Sequence, residues 1–375
     1  MGNVFRSAVL WVLLAIAGTT PWSGSALAQS GTPDAGTGLP DCGAAAAPAS
    51  PVATPPVPST PPPTSGSSIL ETVADVPLPG DASRFDYQSL DPTTGRLYLA
   101  HMDAGQVVVF DTRTRKVVGT VGDLPTVTGV LVVPEVGRVY AAVAGNHQVA
   151  AIAMDSLTVV ARVGTIGFPD GLAYAPQAQQ VYVSDESGGG ELVIDAATNA
   201  VVTTIDIGGE AGNTQYDTGS GCIVVAVQSR NELVAIDPRR DEVVGRYPLT
   251  DDCQTPHGFT LDAAARRAFV SCEDNATLLV VDLTTMRVTG TFPVGDGPDV
   301  LDFDAGWQRL YVASESGTVS VFDEGNGTLT PTGEYKAPHA HSVAVDPATH
   351  LVYLPLENVD GRPVLRIMAA PAPAD

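Results

Sequence analysis

Residues 297–322 read GPDVLDFDAGWQRLYVASESGTVSVF. A short apolar run, an Asp-containing turn, Leu-Tyr-Val, a Gly turn and an alternating Val-Ser-Val-Phe follow one another. That order is strand, turn, strand, turn, strand. With Tyr311 as marker, equivalent positions fall at Tyr98, Tyr140, Tyr182, Val224, Phe269 and Tyr353, spaced 42, 42, 42, 45, 42 and 42 residues apart along the chain. A period of about 40–45 residues carrying about four short strands is the signature of a β-propeller blade. Seven markers predict an all-β, seven-bladed β-propeller.

Residues 69–77 resemble the segment that ends each later repeat, yet they precede the first one. The last repeat stops one strand short near residue 370. The first segment is therefore expected to supply the outer strand of the seventh blade, closing the ring and removing an open sheet edge. The remaining blades are predicted at 84–121, 126–164, 168–207, 210–249, 255–294 and 297–336, with the whole propeller spanning 69–370 and a tail at 371–375.

Upstream of the repeats the sequence changes character. Residues 1–28 carry Arg6, an apolar run over 8–17 and Ala26-Leu27-Ala28, the pattern of a cleaved secretory signal. Residues 29–68, rich in Pro, Ala, Ser and Thr, cannot bury a core and read as a disordered linker. A periplasmic or secreted, monomeric protein with no transmembrane segment after cleavage is expected.

The formal net charge of −23 argues against nucleic-acid binding, which needs a basic footprint, and suits cationic ligands or metal ions. Part of that charge belongs to turns. Asp recurs seven residues before the marker (Asp91, Asp217, Asp262, Asp304, Asp346) and thirteen after it (Asp111, Asp195, Asp237, Asp282). Asp at the head of a turn accepts backbone amides, so these nine are expected to be structural.

Segments such as Gln180-Val181-Tyr182-Val183-Ser184, Leu310-Tyr311-Val312-Ala313-Ser314 and Gly317-Thr318-Val319-Ser320-Val321-Phe322-Asp323 resemble the YVTN (YncE-like) β-propeller repeat. The resemblance covers about residues 69–370. It implies an exported propeller of a kind that serves as a binding scaffold, a periplasmic protein or a carrier of redox chemistry. The family's Asn three residues after the Tyr is replaced here by His101, Val143, Asp185, Val227, Cys272, Ser314 and Leu356.

In a propeller the start of each inner strand and the end of the second strand open on one rim of the central channel. Twelve residues before the marker stand Asp86, Thr128, Asp170, Gly212, His257, Asp299 and His341. Fourteen before it, Arg84 and His339 are the ionisable members beside Glu210, and four after it stand Glu186, Glu273, Glu315 and Glu357. With His101, these define the expected ligand-binding rim: Arg84, Asp86, His101, Asp170, Glu186, His257, Glu273, Asp299, Glu315, His339, His341 and Glu357. Pockets at the centre of radial folds gather one side chain per blade.

The expected role is a non-catalytic scaffold binding a small molecule or a periplasmic protein partner. The alternative is a metal-dependent hydrolase of the lactonase or phosphotriesterase type, with Ca²⁺, Mn²⁺ or Zn²⁺ in the channel mouth. Its ligands would be His339, His341, Asp299 and Glu315, with His339-x-His341 pointing the same way on a strand. A redox accessory subunit is a third class. No Gly-x-Ser-x-Gly elbow and no Cys-x-x-Cys-His haem motif occur in the sequence.

Of the four cysteines, Cys253 and Cys272 fall on the same rim and are expected to form a disulfide that stabilises by roughly 3 kcal/mol. Cys222 reads as a buried free thiol, and Cys42 as available for pairing between molecules.

Overall fold

The computed structural model describes residues 38–43, 69–249, 251–325 and 327–373. The expected signal segment and most of the expected linker lie outside the described residues. Seven four-stranded antiparallel sheets follow one another along the chain. Blades 1 to 6 occupy 88–121, 127–163, 169–206, 211–248, 256–293 and 298–336, in strand order from the axis outward. Blade 7 takes three strands from 344–369 and its outer strand from Glu71–Pro77. That strand pairs antiparallel with Arg362–Ala369, from Glu71 opposite Ala369 to Pro77 opposite Val364. Each inner strand contacts the inner strand of the next blade, and blade 7 returns to blade 1. The ring is closed, as the repeat predicts.

Alternating strands bury both faces, so the core lies between blades. Seven apolar clusters fill the seven blade interfaces. The markers Tyr98, Tyr140, Tyr182, Phe269, Tyr311 and Tyr353 are at most 1% exposed. They carry the largest apolar area into these seams. Polar ends are accommodated at the seam edge, as where the Tyr140 hydroxyl donates to the Ala196 carbonyl at 3.1 Å.

All nine repeat carboxylates do turn chemistry. Each accepts a backbone N–H two or three residues on, from Thr93 to Asp91 through Ala348 to Asp346 in the inner turns. Asp111, Asp195, Asp237 and Asp282 accept likewise from Thr114, Thr198, Arg239 and Thr284. Strand direction places both turn sets on one rim and leaves the other rim to the blade-to-blade connections.

The cysteines correct half of the expectation. Cys253 and Cys272 are bonded, as the shared rim predicts. Cys222 is not a free thiol, and Cys42 does not await another molecule: the two are bonded to each other. Residues 38–43 form a strap on the Asp-turn rim across blades 4 and 5. Cys42 N–H donates to the Ser220 carbonyl at 2.8 Å and Leu39 N–H to the Leu283 carbonyl at 3.0 Å. Arg239 Nη2 donates to the Asp41 carbonyl at 3.0 Å, and Leu39 packs on the seam between blades 4 and 5. The reason is local: these six residues supply backbone partners and one apolar side chain, so they dock although their surroundings are Pro-rich. No helix among the described residues is long and apolar enough to cross a membrane.

Candidate functional site

The site forms because the inner strands begin irregularly. In blades 2 to 6 the pairing between the first two strands slips at their start, for example from Pro256–Cys272 to Phe259–Val270. His257 and Gly258 thus oppose the single residue Ser271, whose hydroxyl donates to the Gly258 carbonyl at 2.8 Å. A bulge of this kind re-aims a side chain, and in blades 2 to 6 the residue twelve before the marker lies inside it, whereas Asp86 and His341 precede the inner strands of blades 1 and 7. The glycine that follows is required by packing. A Cβ on Gly258 would stand 1.6 Å from the Asp299 carbonyl oxygen, and one on Gly129 1.9 Å from that of Asp170. Each bulge is therefore pressed against the bulge of the next blade.

Five blades deliver an ionisable side chain to the axis: Asp86, Asp170, His257, Asp299 and His341. The three Asp and His341 are all below 9% exposed, at 6% for Asp86, 4% for Asp170, 6% for Asp299 and 2% for His341. His257 Nε2 lies 3.4 Å from Asp299 Oδ1 and 3.9 Å from Asp170 Oδ2. The hydroxyl of Tyr87, from blade 1, reaches the same nitrogen of blade 5 at 3.4 Å. The axis is thus crossed by side chains from non-adjacent blades. Thr128, the member from blade 2, turns its hydroxyl to the Pro169 carbonyl at 2.7 Å, and Gly212 in blade 4 brings no side chain.

Burial and mutual repulsion divide the carboxyls. Burial, reinforced by Asp170 and Asp299, holds Asp86 well above the carboxylate range. Burial also pushes Asp170 up to about 7, with His257 opposing it. Asp299 is buried too, but His257, His341 and Arg84 hold it below its usual value. Burial alone would depress the His257 imidazolium; the Asp299 and Asp170 carboxylates instead raise it to about 10. The ring therefore favours a charged His257–Asp299 pair beside a carboxyl at Asp86 that is harder to ionise.

Above this ring lies a more open acidic tier. Arg84 Nη2 bridges Glu315 at 2.7 Å and Asp299 at 3.7 Å. Gln228 donates to Glu186 at 3.2 Å. Glu273 is raised by burial and by Asp299, Asp274 and Glu315, with His257 pulling the other way. Glu273, Asp274, Asp296 and Glu315 line a cavity of about 540 Å³ between blades 5 and 6.

Other expected rim residues take partners of their own. His101 is fully buried against the 79–85 segment, stacked on Phe85 at 3.9 Å, with Nε2 3.1 Å from Ser83 Oγ and Nδ1 3.2 Å from the Pro79 carbonyl. His339 pairs with Glu357 at 3.4 Å, its side chain 55% exposed. His339 and His341 do not form a strand pair, because the inner strand of blade 7 begins only at Ala344 and His339 has φ 65°. The set His339, His341, Asp299 and Glu315 is accordingly not what the structure gathers. Asp86, Asp299 and His341 are, with one ligand atom of each within 4.8 Å of the others. Tyr87 was not anticipated, since the residue beside a ring position is expected on the blade face. Its ring does pack in a seam, and only its hydroxyl reaches the axis.

Fold and site together define a seven-bladed β-propeller whose axis is lined at one end by buried ionisable groups. No protein-family model matches the chain, and no curated protein sequence matches it. Solved structures of similar fold include a chain from Kuenenia stuttgartiensis hydrazine synthase, with a TM-score of 0.65 at 16% identity, covering 79% of this chain and 97% of that one. U3-55K is similar with a TM-score of 0.66 at 10% identity, covering 79% and 98%. At these identities the likeness shows the fold alone.

Proposed function

We propose that the protein is an exported, non-catalytic scaffold that binds a small cationic or polyhydroxy ligand at the acidic, His-lined end of its channel. One observation carries this reading. His257 Nδ1 and His341 Nε2 are buried at the axis without hydrogen-bond partners among the described residues, and Asp299 Oδ1 and Asp170 Oδ2 are buried with only His257 Nε2 near them, at 3.4 and 3.9 Å. Leaving a buried polar group unsatisfied costs about 1–3 kcal/mol each, and a channel that only needed filling would be filled with apolar side chains. Groups held in this state are suited to a ligand that completes them. The acidic tier of Glu186, Glu273 and Glu315 would draw in positive charge. Two disulfides suggest an oxidising environment, and the signal-like N-terminal segment supports a periplasmic or secreted location. The resemblance to the YVTN repeat supports a scaffold role.

The test is a thermal-shift screen of the full chain against cationic and polyhydroxy compounds, with Asp170→Asn in parallel. A ligand present at 100 times its Kd is expected to stabilise by about 2.7 kcal/mol, and the substitution to abolish the shift. The reading fails if no compound shifts the transition and Asp170→Asn melts higher than the parent, because the ring would then be a plug.

A further inference from the structure

The five axial groups differ in how far the protein already provides for them. Asp170 and one oxygen of Asp299 flank His257, and Arg84 covers Asp299 from the tier above. Asp86 feels Arg84 and His257 through their charge alone, and His341 is less provided for. No side-chain hydrogen bond to Asp86 occurs among the described residues, and His341 Nε2 is buried with no partner. Yet Asp86, Asp299 and His341, from the consecutive blades 1, 6 and 7 of the closed ring, bring one ligand atom each to within 4.8 Å of one another.

We propose that Asp86, Asp299 and His341 hold a first-row divalent cation, Zn²⁺ or Mn²⁺, on the propeller axis. This rests on the binding reading above and names the ligand it takes. Two carboxylates and one imidazole are a mixed oxygen and nitrogen donor set. Such a set suits Zn²⁺ and Mn²⁺ rather than Ca²⁺, which takes about 6–8 oxygens. Ligands sharing an ion at about 2.0–2.2 Å lie roughly 3–4 Å apart, so small side-chain rotations close the observed spacing. The bulges fix the backbone beneath Asp299, because Gly258 is pressed against the Asp299 carbonyl. Three protein ligands leave coordination positions open, as in sites that exchange water or a bound anion.

The experiment is calorimetric titration of the chelator-treated full chain with ZnCl₂, MnCl₂ and CaCl₂, alongside metal analysis. One ion per chain is expected for Zn²⁺ or Mn²⁺. Asp299→Asn and His341→Gln should each weaken binding by at least about 100-fold. His147→Asn, at an exposed histidine in blade 2, should leave it unchanged. Folding of each variant is checked by its metal-free melting transition and by an intact Cys253–Cys272 bridge on peptide mapping. Asp86→Asn replaces any variant that fails that check. Absence of stoichiometric uptake, binding of Ca²⁺ alone, or uptake unaltered in folded Asp299 and His341 variants overturns the proposal. If organic ligands still shift the melting transition while no ion binds, the cation is wrong and the binding site stands. If neither binds, both fall.

Discussion

At the scale of single residues, fixed offsets from the marker tyrosine made two populations legible. Turn aspartates recur because every blade needs a cap, and all nine accept backbone amides as expected. Positions twelve before the marker vary in type because the fold does not dictate them, and five of those side chains meet at the axis. His101, one residue from the acidic tier in sequence, was misplaced by the same reasoning. An offset gives height along a strand, whereas stacking on Phe85 depends on a loop with no repeat. Glu191 escaped notice for a related reason, since nothing in its strand marks it as buried. It is fully buried, accepts a 2.8 Å hydrogen bond from Thr214 Oγ1 through one oxygen, and leaves the other unpartnered. Burial raises its pKa to about 8. A carboxyl raised in the folded state binds its proton more tightly than in the unfolded chain. Stability is then greatest below the unfolded value of 4.5 and is lost as pH rises toward 8. Glu191→Gln keeps the acceptor without the charge. It is expected to match the parent near pH 4 and to exceed it by about 2 kcal/mol or more at pH 8, read from urea unfolding at the two pH values.

At the scale of elements, strands and turns followed from alternation and spacing, while the strap at 38–43 did not. Apolar periodicity reports segments that bury a face, and this one docks through backbone hydrogen bonds, Leu39 and a disulfide. Its neighbours in sequence are Pro- and Ala-rich, so composition concealed it. The Cys42–Cys222 bond joins residues separated by 180 positions. Restricting the unfolded chain over so long a loop stabilises by about 2–4 kcal/mol. Cys42→Ser is expected to lose that amount in denaturant titration and to leave Cys222, which is 0% exposed, resistant to alkylation until the protein unfolds. Rapid labelling of Cys222 in the native variant would show instead that the strap shields it.

At the scale of the whole molecule, the ring was the most legible feature, because seven markers at near-equal spacing and a displaced final strand admit few other closures. What the sequence could not convey is the slip in strand pairing around Asp170, His257 and Asp299, since a bulge depends on the partner strand. Closure by Glu71–Pro77 also sets an expectation. A chain beginning at residue 78 leaves the edge of Arg362–Ala369 unpaired and loses the bidentate Arg366–Asp75 pair. It should self-associate on size-exclusion chromatography with light scattering far more than a chain beginning at residue 69, which lacks the strap but keeps the closing strand. The strap adds something to this closure. The covalent loop from Cys42 to Cys222 contains the closing strand, which is tied to blade 4 on one side and runs directly into blade 1 on the other. A strand that peels away is therefore leashed at both ends beside the gap it has left, at an effective concentration of order millimolar. Recapture by its own ring outruns capture by a neighbour's at any lower protein concentration, so the bridge works as a guard against exchange of strands between molecules.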